Sequence, residues 1–302
     1  VSGSFPATGL PPSLQHPTVA TLLRQCLAED GSSSGTWPPV DKPLARSDVT
    51  SAATVPAEAP LRGRLIAKAD GVVAGLPLAR TLCRLVDTDL TVTAHRTDGA
   101  VVSAGDLVAT LEGPGRSLLT AERPALNLLG HLSGIATLTR QYVEAVAHTD
   151  AAILDTRKTV PGLRRPNKYA VRQGGGTNHR MGLFDMVLIK ENHIDAAGGV
   201  ASALQQARNT HGDQYPIEIE VTSLDELDAA CPHAPDIVLL DNMDVPTIRT
   251  AVARAPDSIP LEASGGITLD ALPAVAETGV DRISVGALTH SAAALDLSLR
   301  TD

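Results

Sequence analysis

Aromatic side chains are nearly missing from this chain: one Trp, three Tyr and two Phe in 302 residues. Hydrophobic residues still make up 43%, so a large core is available, but it must be built from Ala, Val, Leu and Ile. Positive charge is also short, with 25 Lys+Arg against 34 Asp+Glu and a net charge of −9. An acidic chain poor in aromatics lacks both the basic surface and the stacking platforms that nucleic acid requires. A local basic pocket for a small anion remains open. Only three cysteines occur, Cys26, Cys83 and Cys231, far apart and odd in number. That spacing fits neither a disulfide framework nor a zinc site, so isolated thiols in a reducing cytoplasm are expected. No apolar run reaches membrane-spanning length. The opening "VSGSFPATGLPPSLQ" has no basic or apolar region of a secretory signal and is expected to fray.

What is present is organised in two styles. "PSLQHPTVATLLRQCLAED" reads as an amphipathic helix with Val19, Leu22, Leu23 and Leu27 on one face. "GSSSGTWPPVDKPLA" is a Ser/Gly/Pro-rich loop. Short Val-rich, Gly-punctuated pieces follow, "LRGRLIAKADGVVAG", "TVTAHR" and "DGAVVSAGDLVATLEG", as in a small α/β layer. Residues 120–149 form a long helical pattern, with Thr120 as its expected cap, Arg123 and Pro124 in its first turns, and small residues Ser133, Gly134 and Ala136 that allow close packing. His131 within it reads as a packing residue.

After residue 150, six apolar β-type runs recur: "AAILD", "DMVLIK", "PIEIEV", "DIVLLD", "PLEASGG" and "DRISVGA". Helical segments between the later ones give a βαβ rhythm and a parallel sheet. The runs are continuous rather than alternating, as strands covered on both faces should be. Their ends are polar or glycine: Asp155 to Lys158, Lys190 to His193, Glu220, Asp241-Asn242, Ser264-Gly265-Gly266 and Gly286. In a parallel barrel or sheet these ends share one face, and that face carries the ligand.

The rim sorts by chemistry. Arg157, Lys158, His179, Arg180 and Lys190 are cationic or can be; Glu220 and Asp241 are anionic. "SGGI" and "VGALT" place glycine turns at the last two strand ends, where backbone N–H groups and a helix dipole receive phosphate. Glu220 and Asp241 suit Mg²⁺ beside substrate phosphates, or pair with Arg or Lys. From Arg157 to Arg180 there are seven Arg/Lys and no carboxylate, with Gly174-Gly175-Gly176 among them. That is more cation than one phosphate needs, and arginine is suited to planar capture of carboxylates. Residue chemistry therefore points to an enzyme that joins a phosphorylated, Mg²⁺-bound substrate to a polycarboxylate.

The same residues carry a resemblance. "TAERPALNLLGHLSGIAT", "DTRKTVPGLR", "KYAVRQGGGTNHR", "MVLIKENHI", "IEIEV", "VLLDNM", "EASGGI" and "VGALTHS" resemble quinolinate phosphoribosyltransferase, the carboxylating nicotinate-nucleotide pyrophosphorylase family of de novo NAD synthesis. The likeness runs in order from about residue 44 to 300; the Pro/Ser-rich stretch near 31–43 departs from it. It implies an α/β fold, with an N-terminal α/β sandwich (1–125, rejoined by the tail 291–302) and an incomplete (β/α) barrel of the type II phosphoribosyltransferases (126–290). It implies that quinolinate and phosphoribosyl pyrophosphate give nicotinate mononucleotide, pyrophosphate and CO₂ with Mg²⁺. By the resemblance, Arg157, His179, Arg180 and Lys190 hold the quinolinate carboxylates, and Lys158 and Lys190 face the phosphoribosyl group. Glu220 and Asp241 bind Mg²⁺ and the ribose hydroxyls. Ser264, Gly265, Gly266, Gly286 and Ala287, with His290 nearby, cradle the 5′-phosphate. Lys158, Lys190, Glu220 and Asp241 are the catalytic set, and Arg123 reaches the neighbouring subunit of a homodimer.

Rival readings are a phosphoribosyltransferase for another N-heterocyclic acid, a barrel aldolase using Lys190 as a Schiff-base amine, and a cofactor-carrier hairpin at "TDGAVVSAGDLVATLEG". The last has no attachment lysine, because none lies between Lys68 and Lys158.

Overall fold

The structure, a computed structural model, describes residues 9–31 and 47–301. Most of the Ser/Gly/Pro-rich loop and the extreme N-terminus expected to fray lie outside the described residues. The chain divides into two compact units, residues 1–138, 160–175 and 291–302 in the first, and 139–159 and 176–290 in the second. Among the described residues no helix is long and apolar enough to cross a membrane.

In the first unit, β1 (Pro60–Ala67), β3 (Thr91–Ala94), β5 (Leu107–Pro114) and β12 (Leu297–Thr301) form an antiparallel sheet of order β12-β1-β5-β3. The C-terminal strand thus returns to this unit by pairing with β1. Two short strands, β2 (Gly71–Val72) and β4 (Val101–Val102), pair separately. Helices α1 (Pro17–Gly31), α2 (Val49–Thr54), α3 (Leu76–Val86) and α4 (Gly115–Ala145) accompany them. α1 buries Val19, Leu23 and Leu27, the face its spacing implied, while Leu22 is half-buried. α3 buries Leu76, Leu78, Ala79, Leu82 and Cys83. Asp98 accepts the N–H groups of Gly75 and Leu76 at 2.8 and 3.1 Å, satisfying amides that the start of α3 leaves unbonded.

The long helix differs from expectation at its start. α4 begins at Gly115, and Thr120 lies inside it, its hydroxyl donating to the Arg116 carbonyl at 2.8 Å. Pro124 is therefore interior and not in the first turn. The division between the units falls after Leu138, not between 125 and 126, because α4 keeps packing within the first unit. Ser133 Oγ accepts the Ala74 N–H and Thr137 Oγ1 the Val72 N–H. A Cβ on Gly134 would stand 2.0 Å from the Ala293 carbonyl oxygen, so only glycine admits the returning tail. His131 accordingly has a packing partner, Asn167 Oδ1 at 2.9 Å.

α5 (Arg164–Gln173) also belongs to the first unit. Gly174 caps it and Gly175, with φ +93°, turns the chain away. The basic stretch 157–180 is thereby split. Arg164, Arg165, Lys168 and Arg172 belong to the first unit, and Arg157, Lys158, His179 and Arg180 to the second.

The second unit is a six-stranded parallel sheet: β6 (Ala152–Leu154), β7 (Val187–Ile189), β8 (Ile217–Val221), β9 (Ile237–Asp241), β10 (Leu261–Ser264) and β11 (Arg282–Ser284), in the order β6-β11-β10-β9-β8-β7. All six runs read from the sequence are these strands. Connecting helices are α6 (Glu191–Ala197), α7 (Val200–His211), α8 (Leu224–Ala230), α9 (Val245–Arg254), α10 (Leu272–Ala276) and α11 (Ala287–His290). Ser223 and Asp244 cap α8 and α9 with side-chain oxygens. β6 and β7, the two end strands, do not pair, which leaves the barrel incomplete. Thr177 occupies the free edge of β6, exchanging backbone bonds with Ile153 and Asp155.

Candidate active site

Period-2 alternation along β7 to β11 points Leu188, Lys190, Glu220, Leu239, Asp241, Ser264 and Ser284 into one cavity of about 310 Å³. Thr156, Arg157, Lys158, His179 and Arg180 complete its lining. Eight residues expected from the sequence thus meet in one place. Gly265 and Gly266 continue from Ser264, and Gly286, Ala287 and His290 follow β11, beyond the lining itself. Arg123 is exposed on α4 in the first unit and does not line this cavity.

Each cation is held by its surroundings. The Lys158 N–H donates to Thr156 Oγ1 at 3.0 Å, and Thr289 Oγ1 donates to the Lys158 carbonyl at 2.8 Å. Gly286 makes room for its stem, because a Cβ there would lie 3.0 Å from Lys158 Cδ. Lys190 precedes α6, donates its backbone N–H to His193 Nδ1, and forms an ion pair with Glu220. Arg180 Nη1 donates to the Met186 carbonyl at 3.2 Å, while its Nε is buried without a partner. Burial lowers the Arg180 pKa, repulsion from Arg157 adds to this, and Glu218 and Asp185 oppose it. A bound carboxylate would offset both the burial and the repulsion from Arg157.

The glycine turn after β10 has the conformation its residues allow. Gly265 and Gly266 have φ of +105° and +60°. A Cβ on Gly265 would lie 2.2 Å from Asn242 Oδ1 and 2.8 Å from its backbone nitrogen, whereas Gly266 faces open space. Asn242, itself at φ +55°, donates its backbone N–H to the Ser264 carbonyl and its side-chain amide to Asp241 Oδ2. Glu220 and Asp241, from adjacent strands and both facing the cavity, form a hard-oxygen donor set that fits Mg²⁺ completed by substrate oxygens. Glu220 pairs with Lys190, the other role its position allowed.

Four site residues were not singled out for any role. Asp155, fully buried after β6, accepts the His179 N–H at 3.0 Å and the Asn178 amide at 2.5 Å. Glu218 and Glu262 lie wholly buried beneath the rim, and Ser284 lines the cavity. His179 Nε2 lies 3.1 Å from Glu218 Oε2 and 3.5 Å from Glu262 Oε1. These are ion-pair separations without hydrogen-bond alignment, and no oxygen of either carboxylate receives a conventional hydrogen bond. The signal was in the sequence: a glutamate inside a strand covered on both faces must be buried, and a buried carboxylate needs a reason.

Burial first, then the Glu218 charge, pushes the Glu262 pKa up from 4.5 to about 7, with His179, Ser284 and Arg282 pulling the other way. The unfolded chain releases this proton near pH 4.5, and the folded chain near 7. Across that window the folded state holds more protons, so stability falls as pH rises and levels above 7. Replacing Glu262 by Gln removes this cost. At pH 8 the variant is expected to unfold at higher urea than the wild type, by about 1–3 kcal/mol, and the gain should shrink at pH 5. An equal gain at both pH values would exclude this titration as its source.

Comparison with known proteins adds a separate line. Residues 48–133 match the family described as quinolinate phosphoribosyl transferase, N-terminal domain, and residues 135–300 its C-terminal domain. Nicotinate-nucleotide pyrophosphorylase [carboxylating] of Mycobacterium leprae is 45% identical over 83% of this chain and 90% of its own. A probable enzyme of the same name from Synechocystis is 42% identical over 99% and 97%. The solved nicotinate-nucleotide pyrophosphorylase of Francisella tularensis superposes with a TM-score of 0.88 at 39% identity, covering 97% of this chain and 98% of that one.

Proposed function

We infer that this chain, which belongs to the quinolinate phosphoribosyltransferase family, transfers the phosphoribosyl group of phosphoribosyl pyrophosphate to the ring nitrogen of quinolinate. Pyrophosphate and CO₂ leave, and nicotinate mononucleotide is formed for NAD biosynthesis. The observation that carries this reading is the cavity itself, where Arg157, Lys158, Arg180 and Lys190 stand with Glu220 and Asp241 at consecutive strand ends.

Arg157 and Arg180 grip the two carboxylates of the acceptor, with Lys190 free to join them once it leaves Glu220. Lys158, fixed by Thr156 and Thr289, meets the departing pyrophosphate. Glu220 and Asp241 would hold Mg²⁺ and the ribose hydroxyls; the ion, when bound, neutralises charge on the leaving group. The backbone N–H groups at Gly265 and Gly266 receive the 5′-phosphate. With both reactants fixed, much of the entropic barrier is met on binding. The C1–oxygen bond breaks toward pyrophosphate, and the pyridine nitrogen lends its pair to the oxocarbenium-like carbon. The ring nitrogen is then positive. When the C2–carboxylate bond breaks, the electron pair stays on C2 beside that charge, and C2 takes up a proton.

A Schiff-base reading fits less well. Lys190 is half exposed and ion-paired with Glu220, not enclosed by apolar groups that would favour its neutral amine. A homodimer is supported by the first unit: Arg123 is exposed next to Pro124, which lines a groove of about 730 Å³ with Leu22, Cys26 and Leu128. The thiols of Cys26, Cys83 and Cys231 are all free, which supports the cytoplasm as the compartment.

The protein with Mg²⁺, phosphoribosyl pyrophosphate and carboxyl-labelled quinolinate is expected to release CO₂ and pyrophosphate in equal amounts. Turnover of nicotinate, with quinolinate inert, would move the assignment to a related acceptor.

A further inference from the structure

Glu218 and Glu262 place carboxyl groups where a polar side chain is costly to bury. Both are fully buried, and no oxygen of either carboxyl group has a hydrogen-bond partner of good geometry. Each precedes a rim residue by two, Glu220 and Ser264 respectively, so strand alternation sets it on the same inner face, one layer deeper. What they face is His179 Nε2, at 3.1 and 3.5 Å.

The other ring nitrogen is also engaged, since His179 Nδ1 accepts the Arg180 N–H at 2.6 Å. An accepting Nδ1 makes Nε2 the protonated nitrogen, and it is Nε2 that points at the acids. The ring is thus set between the acids of the barrel floor, which Nε2 faces at ion-pair distance, and the backbone of the next residue, whose N–H Nδ1 accepts. Asp155 holds the same segment by accepting the His179 N–H. Arg180 then projects into the cavity from a backbone fixed at both ends.

We propose that Glu218 and Glu262 are positioning residues for the acceptor: they anchor His179, and His179 fixes Arg180 in carboxylate-binding register. His179 on this view aims the quinolinate grip and does not itself touch the carboxylates. The inference rests on the quinolinate reading above. It asks of the floor an acceptor for Nε2–H, not merely bulk.

The test compares Glu218→Gln and Glu262→Gln, which keep an acceptor, with Glu218→Leu and Glu262→Leu, which keep only volume. The Leu variants are expected to raise KM for quinolinate about 10- to 100-fold, the scale of lost supporting contacts to a binding group. KM for phosphoribosyl pyrophosphate should stay within about twofold, and the Gln variants should recover most of the loss. Leu variants that match the wild type, or Leu and Gln variants equally impaired in both KM values, would overturn the proposal. Should a Leu variant fail to fold, ¹⁵N-histidine NMR of the wild type decides: Nε2–H with an accepting Nδ1 supports it, and Nδ1–H or a doubly protonated ring at neutral pH overturns it. Wild-type protein that leaves quinolinate unturned while showing the expected tautomer would instead count against the functional reading alone.

Discussion

Arg180→Ala should lower kcat/KM for quinolinate by about 100- to 1,000-fold while leaving KM for phosphoribosyl pyrophosphate nearly unchanged. The size follows from how the guanidinium is held. Its Nε is buried without an acceptor, Nη1 donates to the Met186 carbonyl, and Arg157 repels it. Such a group is unfavourable until a carboxylate arrives, so its binding contribution is concentrated on the acceptor. Removing one member of a buried charge pair typically costs 2–5 kcal/mol, in part because the partner charge is left unmet. Arg180→Lys should recover only part, since an ammonium cannot present two parallel donors to a planar carboxylate. Steady-state kinetics with each substrate varied in turn separates the outcomes. A rise confined to the phosphoribosyl pyrophosphate KM would reassign Arg180 to the donor half of the pocket.

The sheet was legible because its strands are covered on both faces. Runs such as "DIVLLD" lose alternation and show as unbroken apolar text, bounded by the polar residues that reach the rim. The rim was legible for the same reason: polar residues that end buried strands stand out. Charges within strands did not stand out. Glu218 in "IEIEV" imitates the alternation of a half-exposed strand, and Glu262 in "LEAS" sits so close to the glycine turn that it reads as part of it. The division of the chain was hidden by continuity, since α4 runs unbroken from Gly115 to Ala145 and no linker composition marks Leu138. The basic stretch misled in the same way. One sequence segment supplies both units, and only the conformation of α5 and the turn at Gly174 and Gly175 separates the cavity cations from Lys168, which is buried elsewhere.

Mixing two inactive proteins should restore activity, if Arg123 serves the site of a second copy. Arg123→Ala and Arg157→Ala are each expected to be nearly inactive as homodimers, because every site lacks one carboxylate-binding arginine. In a heterodimer of twofold type, one site combines the Arg157 of one chain with the Arg123 of the other and is intact, while its twin lacks both. Heterodimers purified through two different tags should therefore carry roughly half the wild-type sites, and a random mixture roughly a quarter. The intact site should show the wild-type KM for quinolinate, which distinguishes complementation from a general gain in stability. Confirmed heterodimers that stay inactive would place Arg123 outside the shared chemistry. The position of Arg123 makes the experiment sharp. It is exposed on α4 and is not among the residues that line the cavity, so recovery in the heterodimer, and not the loss in Arg123→Ala alone, is what assigns it to a neighbour's site.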